Sequence, residues 1–129
     1  MRVVLDTTVL IDYLRGRPVV GRMATLRRRG DVVLTTAINI EEVVRGLRPD
    51  EEAAAGVLFD GLGIVPLGRA EGRQAGEWRR TFAKRGVTLS QADCLIAAAV
   101  QAVAAVLATG NPAHFPMSDV TLEHWPVGQ

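Results

Sequence analysis

Along this chain, short apolar runs alternate with stretches in which apolar residues return every three or four positions. The run "VVL" at 3–5 predicts a buried strand. After it, Val9, Leu10, Tyr13 and Leu14 repeat at helical spacing as far as Gly16. "PVVGRMATLRRRG" reads as a second helix, opened by Pro18 and stopped by Gly30. "DVVLTTA" is the second strand, and "INIEEVVRGL" is an amphipathic helix with Ile40, Val43, Val44 and Leu47 on one face. "DEEAAAGVLFDGL" carries acids in its first turn, where the helix dipole favours them. "GIVPLG" predicts a third strand, weakened by Pro66, which has no amide hydrogen to donate. "RAEGRQAGEWRRTFAKRG" and "LSQADCLIAAAV" read as two more helices, the second apolar nearly all round. "AAVLAT" is the fourth strand, and "DVTLEHW" adds a short fifth.

Strands alternating with helices predict an α/β fold with a mostly parallel sheet of four to five strands. A chain of 129 residues suits one domain spanning 1–129, and a hydrophobic fraction of 48% supplies a core for it. The single cysteine, Cys94, excludes an internal disulfide and a cysteine-clustered zinc site. No apolar run has membrane-spanning length, and Asp6 interrupts the stretch a signal peptide would need. These features predict a soluble, cytoplasmic protein. A net charge of +1 argues against a simple electrostatic nucleic-acid binder. The positive charge is nearly all arginine, Lys84 being the only lysine, and arginine forks suit phosphate.

In parallel sheets, ligands bind outside the carboxyl ends of the strands. Asp6 directly follows the first strand, and Thr109, Gly110 and Asn111 follow the fourth. Glu42 lies in the helix after the second strand, and Asp93 at the start of the helix before the fourth. Each acid also has a purely structural reading. Asp6 suits a turn or a helix cap. Asp93 sits three residues after Ser90, as in a capping box, although Glu or Gln is usual there. Glu41 shares a helix side with Arg45 and Arg48 and has a surface ion-pair explanation. Glu42 shares its side with Asn39 and Gly46 and lacks that i+4 partner, which makes it the better site candidate.

Three carboxylates on one rim repel one another, and a divalent cation resolves the conflict. Oxygen ligands without Cys or His clusters suit Mg²⁺ or Mn²⁺. Such an ion activates water and stabilises a leaving oxygen, so phosphodiester hydrolysis is the natural reaction class. There is no phosphate-binding glycine–lysine loop and no G-x-S-x-G elbow. His114 and His124 have no nucleophile at hand and read as surface or packing residues. Lys84 is misplaced for a phosphorylated receiver domain, and Thr8 stands where a haloacid-dehalogenase-like enzyme needs an acid. Arg27–Arg29 read as a solvated helix face, whereas Arg15 and Arg17, after the first helix, are candidate RNA contacts.

Taken together, "VVLDTTVLIDYL", "TTAINIEEVVRGL", "LSQADCLIAAAV" and "LATGNPAHF" resemble the PIN-domain ribonucleases, and within them the VapC toxins of bacterial toxin–antitoxin pairs. The four segments occur in matching order across essentially the whole chain. The resemblance implies a three-layer α/β/α sandwich and an Mg²⁺- or Mn²⁺-dependent endoribonuclease acting on transfer or ribosomal RNA. It further implies a homodimer restrained by a cognate VapB-type antitoxin. Carried over by position, Asp6, Glu42 and Asp93 are the metal-binding and catalytic acids, with Thr7 and Thr109 as polar supports. One departure stands out. Many members carry a fourth acid after the last long strand, where this chain has Asn111 and His114. Asn111 offers a neutral oxygen but no charge. That departure is the basis of an alternative reading, a PIN-like module that binds RNA or a partner and cuts weakly or not at all.

Overall fold

A computed structural model describes residues 1–129. Five strands form one sheet: β1 (Arg2–Leu5), β2 (Val32–Thr35), β3 (Gly63–Ile64), β4 (Val106–Thr109) and β5 (Thr121–His124). Six α-helices connect them: α1 (Thr7–Leu14), α2 (Val19–Arg28), α3 (Ala37–Arg45), α4 (Glu52–Asp60), α5 (Arg69–Ala83) and α6 (Gln91–Ala102). The strand order is β3-β2-β1-β4-β5, and every pairing is parallel.

Strand β1 is central because both its faces are apolar. Val3 and Leu5 face one core with Val9, Leu10, Met23, Val43 and Leu58, so α1 to α4 lie mainly on that side. Val4 faces the other core with Trp78, Ile96 and Leu107, beneath α5 and α6. The three-layer sandwich expected from the resemblance is therefore the observed architecture. No helix is long and apolar enough to cross a membrane.

The sequence pattern places every α-helix and strand, with shifts at their ends. Helix α1 starts at Thr7, two residues before the apolar repeat, because Asp6 already takes the N-cap conformation. Gly16 and Gly30 end α1 and α2 with φ of 66° and 80°, where a side chain would be strained. The third strand shrinks from the six expected residues to two, Gly63–Ile64, and stops before Pro66. A 3₁₀ turn at Pro49–Glu51 precedes α4, and another at Pro112–His114 follows β4. The second of these shapes the site.

Candidate active site

After β1 the chain goes on to β2 and then β3 on one side, and it returns to the other side through β4 and β5. The crevice therefore opens between the carboxyl ends of β1 and β4, at the topological switch point. Leu5 pairs with Ala108, so the next step in register sets Asp6 beside Thr109. The Asp6 amide donates to the Ala108 carbonyl at 3.0 Å, and the Thr109 hydroxyl donates to Asp6 Oδ2 at 2.6 Å.

Asp6 is only 6% exposed. It occupies the N-cap of α1, yet its side chain makes no cap hydrogen bond there. Its other oxygen, Oδ1, accepts from Asn39 Nδ2 at 3.1 Å. Burial pushes its pKa above the ordinary carboxylate value, and the negative charge of Asp93 adds to this. Hydrogen bonds from Thr109, the Thr7 backbone and Asn39 pull in the opposite direction. Asp6 is thus a buried carboxyl group with neutral hydrogen-bond donors and no cationic partner. The structural role considered for it, a helix cap, does not account for where its carboxylate points.

Glu42 reaches the same crevice from α3. Thr7 Oγ1 donates to Glu42 Oε1 at 2.7 Å and accepts from Asn39 Nδ2 at 3.1 Å. Asn39 therefore bridges the supports of both acids. Its own position is set by Thr36, the N-cap of α3, whose hydroxyl accepts from the Asn39 amide and donates to Asn39 Oδ1 at 2.7 Å. Asn39 is fully buried and was not among the expected site residues. The signal was its i−3 spacing from Glu42, which puts both on one side of the helix. Glu41, by contrast, is exposed and pairs with Arg45 at 3.6 Å.

Asp93 enters from the first turn of α6. Ser90 caps that helix, its hydroxyl accepting from the Asp93 amide at 3.1 Å. The capping box is half made, because the Asp93 carboxylate does not return to the Ser90 amide. It faces the crevice instead, with Oδ2 at 3.6 Å from His114 Nδ1. His114 is exposed, in line with its surface reading, but the 3₁₀ turn at Pro112–His114 sets it on the rim. Asn111 lies on the same rim, and its amide donates to Thr109 Oγ1 at 3.0 Å.

Asp6, Glu42, Asp93, Asn111, His114 and Arg45 line one open cavity of about 470 Å³. The three expected acids thus face one space. They do not form a closed cage, since no three acidic, histidine or cysteine side chains lie close enough to share one ion directly. The two arginines expected near RNA lie elsewhere. Arg17 is bound to Asp12, a carboxylate buried in α1, at 2.5 Å. Arg15 is exposed and lines a separate hollow with Leu14 and Leu47. Arg45, on α3, lines the acidic cavity in their place.

A buried aspartate at a switch point, faced by acids from α3 and α6 in a parallel α/β/α sandwich, is the arrangement of a candidate nuclease site. Residues 3–116 match the family described as "PIN domain", and the chain belongs to it. It is 34% identical to Ribonuclease VapC19 of Mycobacterium tuberculosis over 118 residues, covering 88% of this chain and 91% of that one. It is 27% identical to Ribonuclease VapC10 of the same organism, over 89% of this chain and 86% of that one. Among solved structures, VapBC2 from Rickettsia felis, bound to a DNA fragment from its promoter, superposes with a TM-score of 0.85 at 20% identity. That match covers 97% of this chain and 99% of the other.

Proposed function

We propose that the chain is a metal-dependent endoribonuclease, the toxin of a VapBC-type toxin–antitoxin pair. The observation that carries this reading is Asp6: a buried carboxylate, uncompensated by any cation, facing Asp93 and Glu42 across an open cavity. The donors are mainly oxygens, and the space accommodates a hydrated ion. The residues therefore fit Mg²⁺ or Mn²⁺, ions that keep several waters and bind through one or two carboxylates plus substrate phosphates. Asp6, Glu42 and Asp93 would hold the ion, one or two of them directly and the rest through its bound waters. It would supply Lewis-acid stabilisation of phosphate oxygens and an activated water.

The chain's own groups do the rest. Thr109 and Asn39 orient the two oxygens of Asp6, and Thr7 orients Glu42. Asn111 presents a neutral polar group at the mouth. Arg45 offers a cation to an RNA phosphate, with the exposed Arg15 as a more distant contact. Transfer or ribosomal RNA is the proposed substrate class, since folded RNA presents unstacked loops to an open rim. A VapB-type antitoxin is the proposed partner, supported by the names of the relatives and of the solved complex above, and a second copy of the chain is proposed on the family resemblance alone.

The test is cleavage of total cellular RNA by wild type, Asp6→Asn and Asp93→Asn with Mg²⁺, Mn²⁺ or EDTA, alongside melting curves. Removing one carboxylate should lower cleavage by at least about a hundredfold, the scale on which preorganised electrostatic groups act. The variants should remain folded. Wild-type inactivity in both metals would instead favour the non-cutting binding module, the reading that the neutral Asn111 supports.

A further inference from the structure

His114 is the one side chain on the rim whose nitrogen can ligate a metal ion. The Pro112–His114 turn places it there, and its Nδ1 faces Asp93 Oδ2 at 3.6 Å. That separation is too long for a hydrogen bond, so the imidazole is not engaged as a donor to Asp93. It does match two donor atoms about a common ion. With metal–ligand bonds of about 2.1 Å, neighbouring donors lie roughly 3.0 Å apart on an octahedron and roughly 3.4 Å apart on a tetrahedron. A shift of a few tenths of an ångström brings the pair into that range. His114 is exposed, with a relative side-chain accessibility of 58%, so its ring is free to make the adjustment. Asn111 beside it adds no charge, and the rim is left with room for a neutral ligand.

We propose that His114 is a metal ligand alongside Asp93 and that it biases the site towards a divalent transition-metal ion over Mg²⁺. This rests on the metal-dependent reading above and specifies which ion the site selects. The chemical reason is ligand type. Imidazole nitrogen binds first-row transition ions well, whereas Mg²⁺ holds to oxygen ligands and releases its water reluctantly. Exchanging an anionic oxygen for a neutral nitrogen lowers the attraction for Mg²⁺ most.

Binding of Mn²⁺ and of Mg²⁺ to the full chain, measured by titration calorimetry, tests this together with pulsed electron paramagnetic resonance of bound Mn²⁺. Wild type should show a histidine-nitrogen hyperfine coupling to Mn²⁺. His114→Ala should lose the coupling and weaken Mn²⁺ at least about tenfold, with a smaller effect on Mg²⁺. His114→Asp should lose the coupling but tighten Mg²⁺ relative to Mn²⁺. Both changes are on an exposed side chain, and thermal melting checks that the fold is retained. Suppose Mn²⁺ binds wild type and is weakened by Asp93→Asn, while the coupling and the affinity ratio are unchanged in His114→Ala. The role of His114 is then overturned and the acidic metal site stands. If wild type binds neither ion, or Asp93→Asn binds as wild type does, the metal reading itself falls and His114 with it.

Discussion

Asp6 shows how one residue sets the character of the site. Its carboxylate is buried against Thr109 and Asn39, both neutral, and the charge that acts on it is the negative Asp93. Its pKa is raised in the folded protein, so folding favours the protonated form. Below the ordinary carboxylate value both states hold the proton and there is no penalty. As pH rises from there through the raised folded value, the unfolded chain ionises first and stability falls. The deficit persists at neutral pH. Metal-free Asp6→Asn should therefore melt above wild type at pH 7, and the gap should close as pH falls towards 4, as calorimetry at several pH values would reveal. Arg45 makes a different contribution. If it grips a phosphate, Arg45→Ala should raise KM with little effect on kcat and reduce the slope of log affinity against log salt by about one. An Arg17→Ala control should act through stability, because Arg17 serves the buried Asp12, which also accepts from the Gly128 amide at 2.8 Å.

At the scale of elements, the site is assembled by helix starts. Thr36 caps α3 and holds Asn39, while Ser90 caps α6 and holds the turn bearing Asp93. Ser90→Ala should cost about 1 kcal/mol, the usual value of such a cap. It should also lower cleavage more than that loss of stability explains, if Asp93, carried on the freed turn, acts in the site as proposed. Comparing activity well below the melting temperature with the melting shift separates the two effects. The loop after β4 is held just as closely. The Gly110 amide donates to Thr8 Oγ1 at 2.9 Å, and a Cβ at Gly110 would lie 2.7 Å from Val127 Cγ2. The chain's C-terminal segment thus packs against the loop that sets Asn111 and His114 on the rim. These caps were partly legible beforehand, since Ser90 and Asp93 stand at capping-box spacing. That Asp93 would turn its carboxylate to the crevice was not, because a capping acid and a crevice-facing acid look alike at that sequence position.

For the whole molecule, the open rim has a thermodynamic consequence. No three acidic, histidine or cysteine side chains form a preformed cage, and the charge of Asp93 already disfavours ionisation of Asp6. A bound ion should then stabilise the fold by mass action. At a hundred times its Kd, Mn²⁺ should contribute about 2.7 kcal/mol. For a chain of this size that is a rise in Tm on the order of 10 °C. EDTA should reverse it, and Asp6→Asn should show a much smaller rise. Scanning fluorimetry with and without the ion measures both.

The sequence by itself determined the order of elements and the parallel α/β class and marked three candidate acids, because hydrophobic period, turn residues and strand-end positions are local features. Glu42 could be told from Glu41 by helix geometry alone. The tertiary structure decided which polar residues support those acids. Asn39 lies 33 positions from Asp6 and Thr109 lies 103, and only strand register and the placement of α3 bring them to the same carboxylate. It likewise turned Arg17 to Asp12, gave the cavity wall to Arg45, and set His114, read from the sequence as a surface or packing residue, on the rim. The sequence marks charges and donors, but which of them share a space depends on contacts between distant elements, and those are set only when the sheet and its two helical layers pack.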